Sequence, residues 1–92
     1  MGRHLIIRGK VQGVGYRAAF ERQARALQLR GWVRNRDDGS VEAQVFGDAD
    51  AIEQITAWAG HGPSQAVVTL VEKGELADET SCPADFSVLP TA

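Results

Sequence analysis

The sequence predicts an α+β sandwich in which two helices cover one face of an antiparallel sheet, and three features predict it. A β-branched run stops at a glycine-rich loop and gives way to an amphipathic segment; two alternating runs flank an Asp-Gly turn; a second amphipathic segment leads into another β-branched run. The first run, Arg3 to Arg8 (RHLIIR), reads as a strand entering a tight loop. From Arg17 to Leu29 the period changes, with Phe20, Ala24 and Leu27 on one face and Glu21, Arg22 and Arg25 between them. That spacing predicts a helix ending at Gly31. Trp32 to Arg36 and Val41 to Phe46 alternate across Asp37, Asp38, Gly39 and Ser40, a hairpin pattern.

A second helix is expected to start with Asp48 or Asp50 as its N-cap, to place Ile52, Ile55, Trp58 and Ala59 on one face, and to end at Gly60, Gly62 and Pro63. Ala66 to Val71 predicts a strand, Lys73 to Asp85 a polar, turn-rich tail, and Phe86 to Leu89 a short fifth strand. The order β-α-β-β-α-β is that of the split β-α-β, or ferredoxin-like, arrangement. Alternation then sorts the side chains: Leu5, Ile7, Val33, Val41, Ala43 and Val45 toward the helices, Trp32, Arg34 and Arg36 onto the open face. Asn35 shares its side with Val33, so a polar group is expected on the helix-covered side, near the strand end, where it needs a polar reason to be.

Ninety-two residues, 43% hydrophobic and 24% charged, are expected to form one globular domain over residues 1–92. No apolar run reaches the roughly 18 residues of a membrane span, and the opening MGRHLII lacks the form of a signal peptide, so a cytoplasmic protein without membrane association is expected. A monomer is the expected state. The single cysteine, Cys82, can form no internal disulfide and reads as a small side chain in a C-terminal loop. The formal net charge of −2 argues against nucleic acid as a partner, because such binding rests on many Lys and Arg contacts, but leaves a single small anion open.

Gly9, Gly13 and Gly15 lie between strand and helix, where glycine permits positive φ and close approach of a ligand to the backbone. Consecutive N–H groups, the N-terminus of the helix and the planar fork of Arg17 could together cradle an anion. Read alone, the same glycines could equally make only a tight turn, with Arg17 solvated. Gly13 to Ala18 also fits the dinucleotide pattern G-x-G-x-x-G/A, with Asp37 about 20 residues on, but a hairpin directly after the second strand does not suit that fold. The Walker pattern fails for want of Gly-Lys-Ser/Thr.

Two longer motifs make the pattern specific. GKVQGVGYR, with Gly9, Val11, Gly13, Val14, Tyr16 and Arg17, and GWVRNRDDGSVEA, with Gly31, Val33, Asn35, Gly39, Val41 and Glu42, resemble the acylphosphatase family, and the resemblance extends to Gly62-Pro63 and Phe86. Tyr16 stands where phenylalanine is commoner, adding a hydroxyl in need of a partner, and the ending FSVLPTA lacks a basic or aromatic terminus. The resemblance implies a metal-independent hydrolase without cofactor that cleaves small acyl phosphates to carboxylate and inorganic phosphate, the phosphate also acting as competitive inhibitor. It implies phosphate binding by Val11, Gln12, Gly13, Val14, Gly15, Tyr16 and Arg17, and catalysis by Arg17 on the phosphoryl group with Asn35 orienting the water. The residues agree with direct attack by water: neither motif places a Ser, Cys or His as a covalent nucleophile or a carboxylate cluster for magnesium. A non-catalytic module that binds only an anion or a partner is the rival.

The remaining candidates have simpler readings. His4 and His61 lack partners at metal-binding spacing, and Trp58 reads as core. Trp32 on the open face invites comparison with a stacking platform for single-stranded nucleic acid, yet only Phe46 offers a second aromatic. Arg34 and Arg36 beside it read as a solvated or stacked patch.

Overall fold

Alternation in the apolar run sets the first strand, β1 (Gly2–Lys10), which buries Leu5 and Ile7 completely against the helices. The computed structural model describes residues 1–76 and 83–92, so the expectation for Cys82 lies outside the described residues. After β1 come α1 (Tyr16–Ala26), β2 (Arg30–Asn35), β3 (Val41–Phe46), α2 (Ala49–Ala59), β4 (Val67–Leu76) and β5 (Phe86–Val88). The strands form one sheet in the order β4-β1-β3-β2-β5. The ferredoxin-like arrangement is as expected, with Val33, Val41, Ala43 and Val45 all fully buried beneath the helices.

The details depart from the sequence reading at four places. The sheet is mixed rather than antiparallel, because β5 pairs parallel with β2, Val33 opposite Val88. Strand β4 continues through Lys73, Gly74, Glu75 and Leu76, which composition had assigned to a turn-rich tail. As an edge strand it has only one neighbour and exposes most of its residues, so polar and charged side chains are tolerated along it. Helix α1 ends at Ala26, earlier than expected, with Gln28 at φ 60°, and its exit is closed by Leu29 N–H donating to Ala24 O at 2.9 Å. Gly31 therefore lies inside β2, where its φ of 133° brings the backbone so near Gln44 that an added Cβ would sit 1.9 Å from the Gln44 carbonyl oxygen.

Helical spacing places Tyr16, Phe20 and Ala24 of α1 and Ile52, Ile55 and Ala59 of α2 in the core. An aromatic cluster ties the layers together: Phe20 lies 5.8 Å from Trp58 and 5.8 Å from Phe86, ring centre to ring centre. Phe86 thereby locks β5 to the helix layer, and Trp58 joins the core as expected. Asp48 is the N-cap of α2, in extended conformation and acting through its backbone carbonyl, which accepts from Ile52 N–H at 3.0 Å.

Candidate active site

The loop after β1 owes its path to glycine. Gly13 and Gly15 take φ of 73° and 79°, in the left-handed region that side-chain-bearing residues rarely adopt, and apart from the adjoining residues no atom stands within 4 Å of where a Cβ would be on either. The loop is thus bent without being filled. Gly15 is also the N-cap of α1, and its carbonyl accepts the first hydrogen bond of the helix, from Ala19 N–H at 3.1 Å. The N–H groups of Tyr16, Arg17 and Ala18 precede that bond and have no intrahelical acceptor, and the positive end of the helix dipole lies among them.

Two anchors fix the loop. The Gln12 amide donates at 2.8 Å to both Arg36 O and Ser40 O, bracing the loop against the β2–β3 hairpin. Tyr16 donates its hydroxyl to Ala59 O at 2.7 Å, which supplies the partner this residue was expected to need. Burial pushes the Tyr16 phenol above its ordinary pKa, so it stays a neutral donor.

Strand β2 brings Asn35 to the same place. Its neighbour on one side is Val41 of β3; on the other, its carbonyl accepts from Ala92 N–H at 3.0 Å. The Asn35 side-chain oxygen is buried and has no hydrogen-bond partner. A buried acceptor left open in a native fold calls for a ligand or a water to satisfy it.

These pieces line a single cavity of about 240 Å³. Its wall comprises Val11, Gly13, Gly15, Tyr16 and Arg17 from the loop and helix, Asn35 from β2, and Ala18, Glu21 and Val88. The fold therefore brings together Arg17 and Asn35, and five of the seven residues expected to bind phosphate. Gln12 serves as the brace described above, and Val14 packs its side chain toward the core, so neither lines the cavity. Ala18, Glu21 and Val88 were not anticipated. Glu21 lies one helical turn beyond Arg17, a relation the 3.6-residue period carries; Val88 reaches the cavity only through the pairing of β5 with β2, which no local pattern encodes.

A larger hollow of about 510 Å³ lies between the end of α1 and the start of α2, lined in part by Gln28, Asp48 and Asp50. It contains neither a glycine loop nor a cation, so the smaller cavity is the candidate site. Around the rest of the molecule, Arg3, Arg8, Arg25 and Arg34 each hold a carboxylate within 3.5 Å. Among the described residues Arg17 has no such partner, a state it shares with Arg22, Arg30 and Arg36, but of these four only Arg17 lines the cavity, with its guanidinium available. A free cation, open N–H groups and an unsatisfied amide oxygen can together receive a small anion with a water beside it. Among the described residues no group of three His, Asp or Glu side chains is placed to hold a metal ion.

Fold and cavity define a ferredoxin-like α/β sandwich with a polar pocket built on a glycine loop at the helix N-terminus. The acylphosphatase family model matches residues 3–88, and the chain belongs to that family. It is 54% identical over 89 residues to an acylphosphatase of Azoarcus sp. (strain BH72), covering 97% of this chain and 89% of that protein. Among solved structures it resembles an acylphosphatase from Coxiella burnetii, at 40% identity and a TM-score of 0.89, over 96% of this chain and 90% of the other. It likewise resembles the acylphosphatase from Bacillus subtilis, at 32% identity and a TM-score of 0.90, over 96% and 97% of the two chains.

Proposed function

We propose that this chain is an acylphosphatase that hydrolyses the carboxyl phosphate anhydride of small acyl phosphates by direct attack of water, working as a monomeric single domain in the cytoplasm. The observation that carries the reading is that Arg17 and Asn35, whose buried side-chain oxygen is unsatisfied, line the same cavity. The Arg17 guanidinium and the N–H groups around Gly13 and Gly15 hold the phosphoryl oxygens and stabilise the charge that gathers on them in the transition state. Asn35 accepts a hydrogen bond from the attacking water through its side-chain oxygen and so holds it in position. The water oxygen bonds to phosphorus as the bond to the acyl oxygen breaks; the carboxylate leaves with the electron pair, and the proton passes to a phosphoryl oxygen. A carboxylate whose conjugate acid has a pKa near ~4 needs no general acid to depart.

Hydrolysis of benzoyl phosphate in the presence of a chelator, with inorganic phosphate as competitor, tests this directly. Turnover with competitive inhibition by phosphate is the expected result. A folded protein that binds phosphate but does not turn over would instead be a binding module, and would overturn the proposal.

A further inference from the structure

The wall of the cavity divides by chemistry, and one part of it has no role in the steps above. The loop and Arg17 serve the phosphoryl group and Asn35 the water; Ala18, Glu21 and Val88 remain. Glu21 stands four residues after Arg17 on α1, one turn and about 6 Å further from the helix N-terminus where the open N–H groups lie. A phosphoryl group bearing negative charge is attracted to the loop end and repelled from the Glu21 end. With the phosphoryl group at the loop, the acyl chain is directed toward Ala18, Glu21 and Val88.

That wall is apolar apart from one negative charge. Val88 is 39% exposed and so can be reached from the cavity by a bound group. The Glu21 carboxylate is held by Arg25, whose Nε and Nη2 both lie 3.3 Å from Glu21 Oε2. Arg25 does not line the cavity, and it also donates to Asp85 Oδ1 at 3.0 Å and to the Phe86 carbonyl. One arginine thus fixes Glu21 on the helix and the start of β5, the strand that carries Val88. Arg25 bridges both Glu21 and Asp85, so the three groups together carry one net negative charge on this side of the cavity.

We propose that Glu21 and Val88 form the acyl-group subsite, and that Glu21 makes the enzyme select neutral or cationic acyl groups over acyl groups carrying a carboxylate. This rests on the acylphosphatase reading above and specifies its substrate class. Val88 supplies apolar contact to the acyl chain. Glu21 discriminates by charge alone, since it is not required to move a proton or touch the reacting atoms.

The test compares kcat/KM for benzoyl phosphate, 4-carboxybenzoyl phosphate and 4-(aminomethyl)benzoyl phosphate. Each substrate is compared between wild type and variant, which removes differences in intrinsic reactivity. Glu21→Gln is expected to raise kcat/KM for the carboxy substrate relative to benzoyl phosphate by about 3–10-fold and to lower it for the aminomethyl substrate, as a single charge acting across roughly 7 Å of partly screened space does. Glu21→Lys should extend both shifts. In the wild type alone, discrimination between the charged substrates should shrink toward 1 M salt, where the Debye length is only about 3 Å. Equal changes for all three substrates, or discrimination that salt leaves untouched, would overturn the subsite. Wild type inactive on benzoyl phosphate would overturn the acylphosphatase reading itself, a distinct result.

Discussion

On the open face of β2, Arg34 donates to Glu42 at 2.8 Å, His4 Nε2 lies 2.7 Å from the other Glu42 oxygen, and the Arg34 guanidinium sits 4.8 Å from the Trp32 ring centre. One residue further along the same strand and on its other face, the Asn35 oxygen is buried with no partner. Burial by itself would raise the Glu42 pKa, but the hydrogen bonds from His4 and Arg34 outweigh it and hold the carboxyl below its ordinary value. Around Glu42 the open face is fully paired; the Asn35 oxygen at the cavity end is not. Pairing a buried polar group recovers its desolvation cost, whereas leaving it unpaired costs about 1–3 kcal/mol. A fold tolerates that cost where the open group has a ligand to meet.

The two arginines give the sharpest test of this contrast. Arg17→Ala should lower kcat/KM by about 10³–10⁵ with stability nearly unchanged, because it removes charge stabilisation at the phosphoryl group and no folded-state partner. Arg34→Ala should do the reverse, leaving turnover near wild type while lowering the urea midpoint, since Glu42 keeps its burial and loses a partner. Equal activity losses in the two variants would erase the distinction between the faces.

Asn35→Ala is expected to reduce kcat by about 10²–10³. In the same variant, stability should hold or rise by up to about 1 kcal/mol, because an unsatisfied buried acceptor is removed. An unchanged kcat with an altered KM would show that Asn35 binds substrate rather than water. Tyr16→Phe separates scaffold from chemistry more finely. Losing the hydroxyl bond to Ala59 should cost about 0.5–1.5 kcal/mol in denaturant unfolding, with kcat within a few-fold of wild type.

The smallest effect concerns the hairpin. Asp38 accepts hydrogen bonds from the Ser40 hydroxyl and backbone N–H, and these, with Arg36 and Arg8 nearby, hold its carboxyl at about 2 against an ordinary 3.8. A carboxylate depressed in the folded state stabilises it above the unfolded pKa and loses that contribution as pH falls through the folded one. Urea midpoints should therefore fall from pH 4 to pH 2 more steeply in the wild type than in Asp38→Asn.

The paired and unpaired regions were unequally legible in the sequence. Alternation placed Leu5, Ile7, Val33, Val41, Ala43 and Val45 on the buried face, and it put Asn35 on the same side near a strand end, which marked it as a polar group in need of a purpose. Arg17 and the glycines were visible because strand, loop and helix follow one another directly. What depended on distant pairing was not. Parallel addition of β5 to β2 brings together residues more than fifty positions apart, and no periodicity reports it. The end of β4 was hidden for the opposite reason: Lys73, Gly74 and Glu75 have the composition of a turn, yet pair with β1 on an edge where water can solvate them. Gly31 shows a third limit. A glycine following a helix reads as its stop, while here it permits close contact between β2 and β3.

Both residues assigned to the chemistry lie within the first 35 positions, yet the strand that carries Asn35 is gripped by residues 86–92, through Leu89 N–H to Val33 O at 2.9 Å, Ala92 N–H to Asn35 O at 3.0 Å and Asp37 N–H to Ala92 O at 3.1 Å. On the ribosome, loop and arginine emerge long before the segment that completes their wall. A nascent chain can hold the whole motif and still be unable to form the cavity, because closing so long a loop must be paid for before the distant pairing rewards it. Activity should therefore appear only once residues 86–92 have emerged and added to the sheet edge.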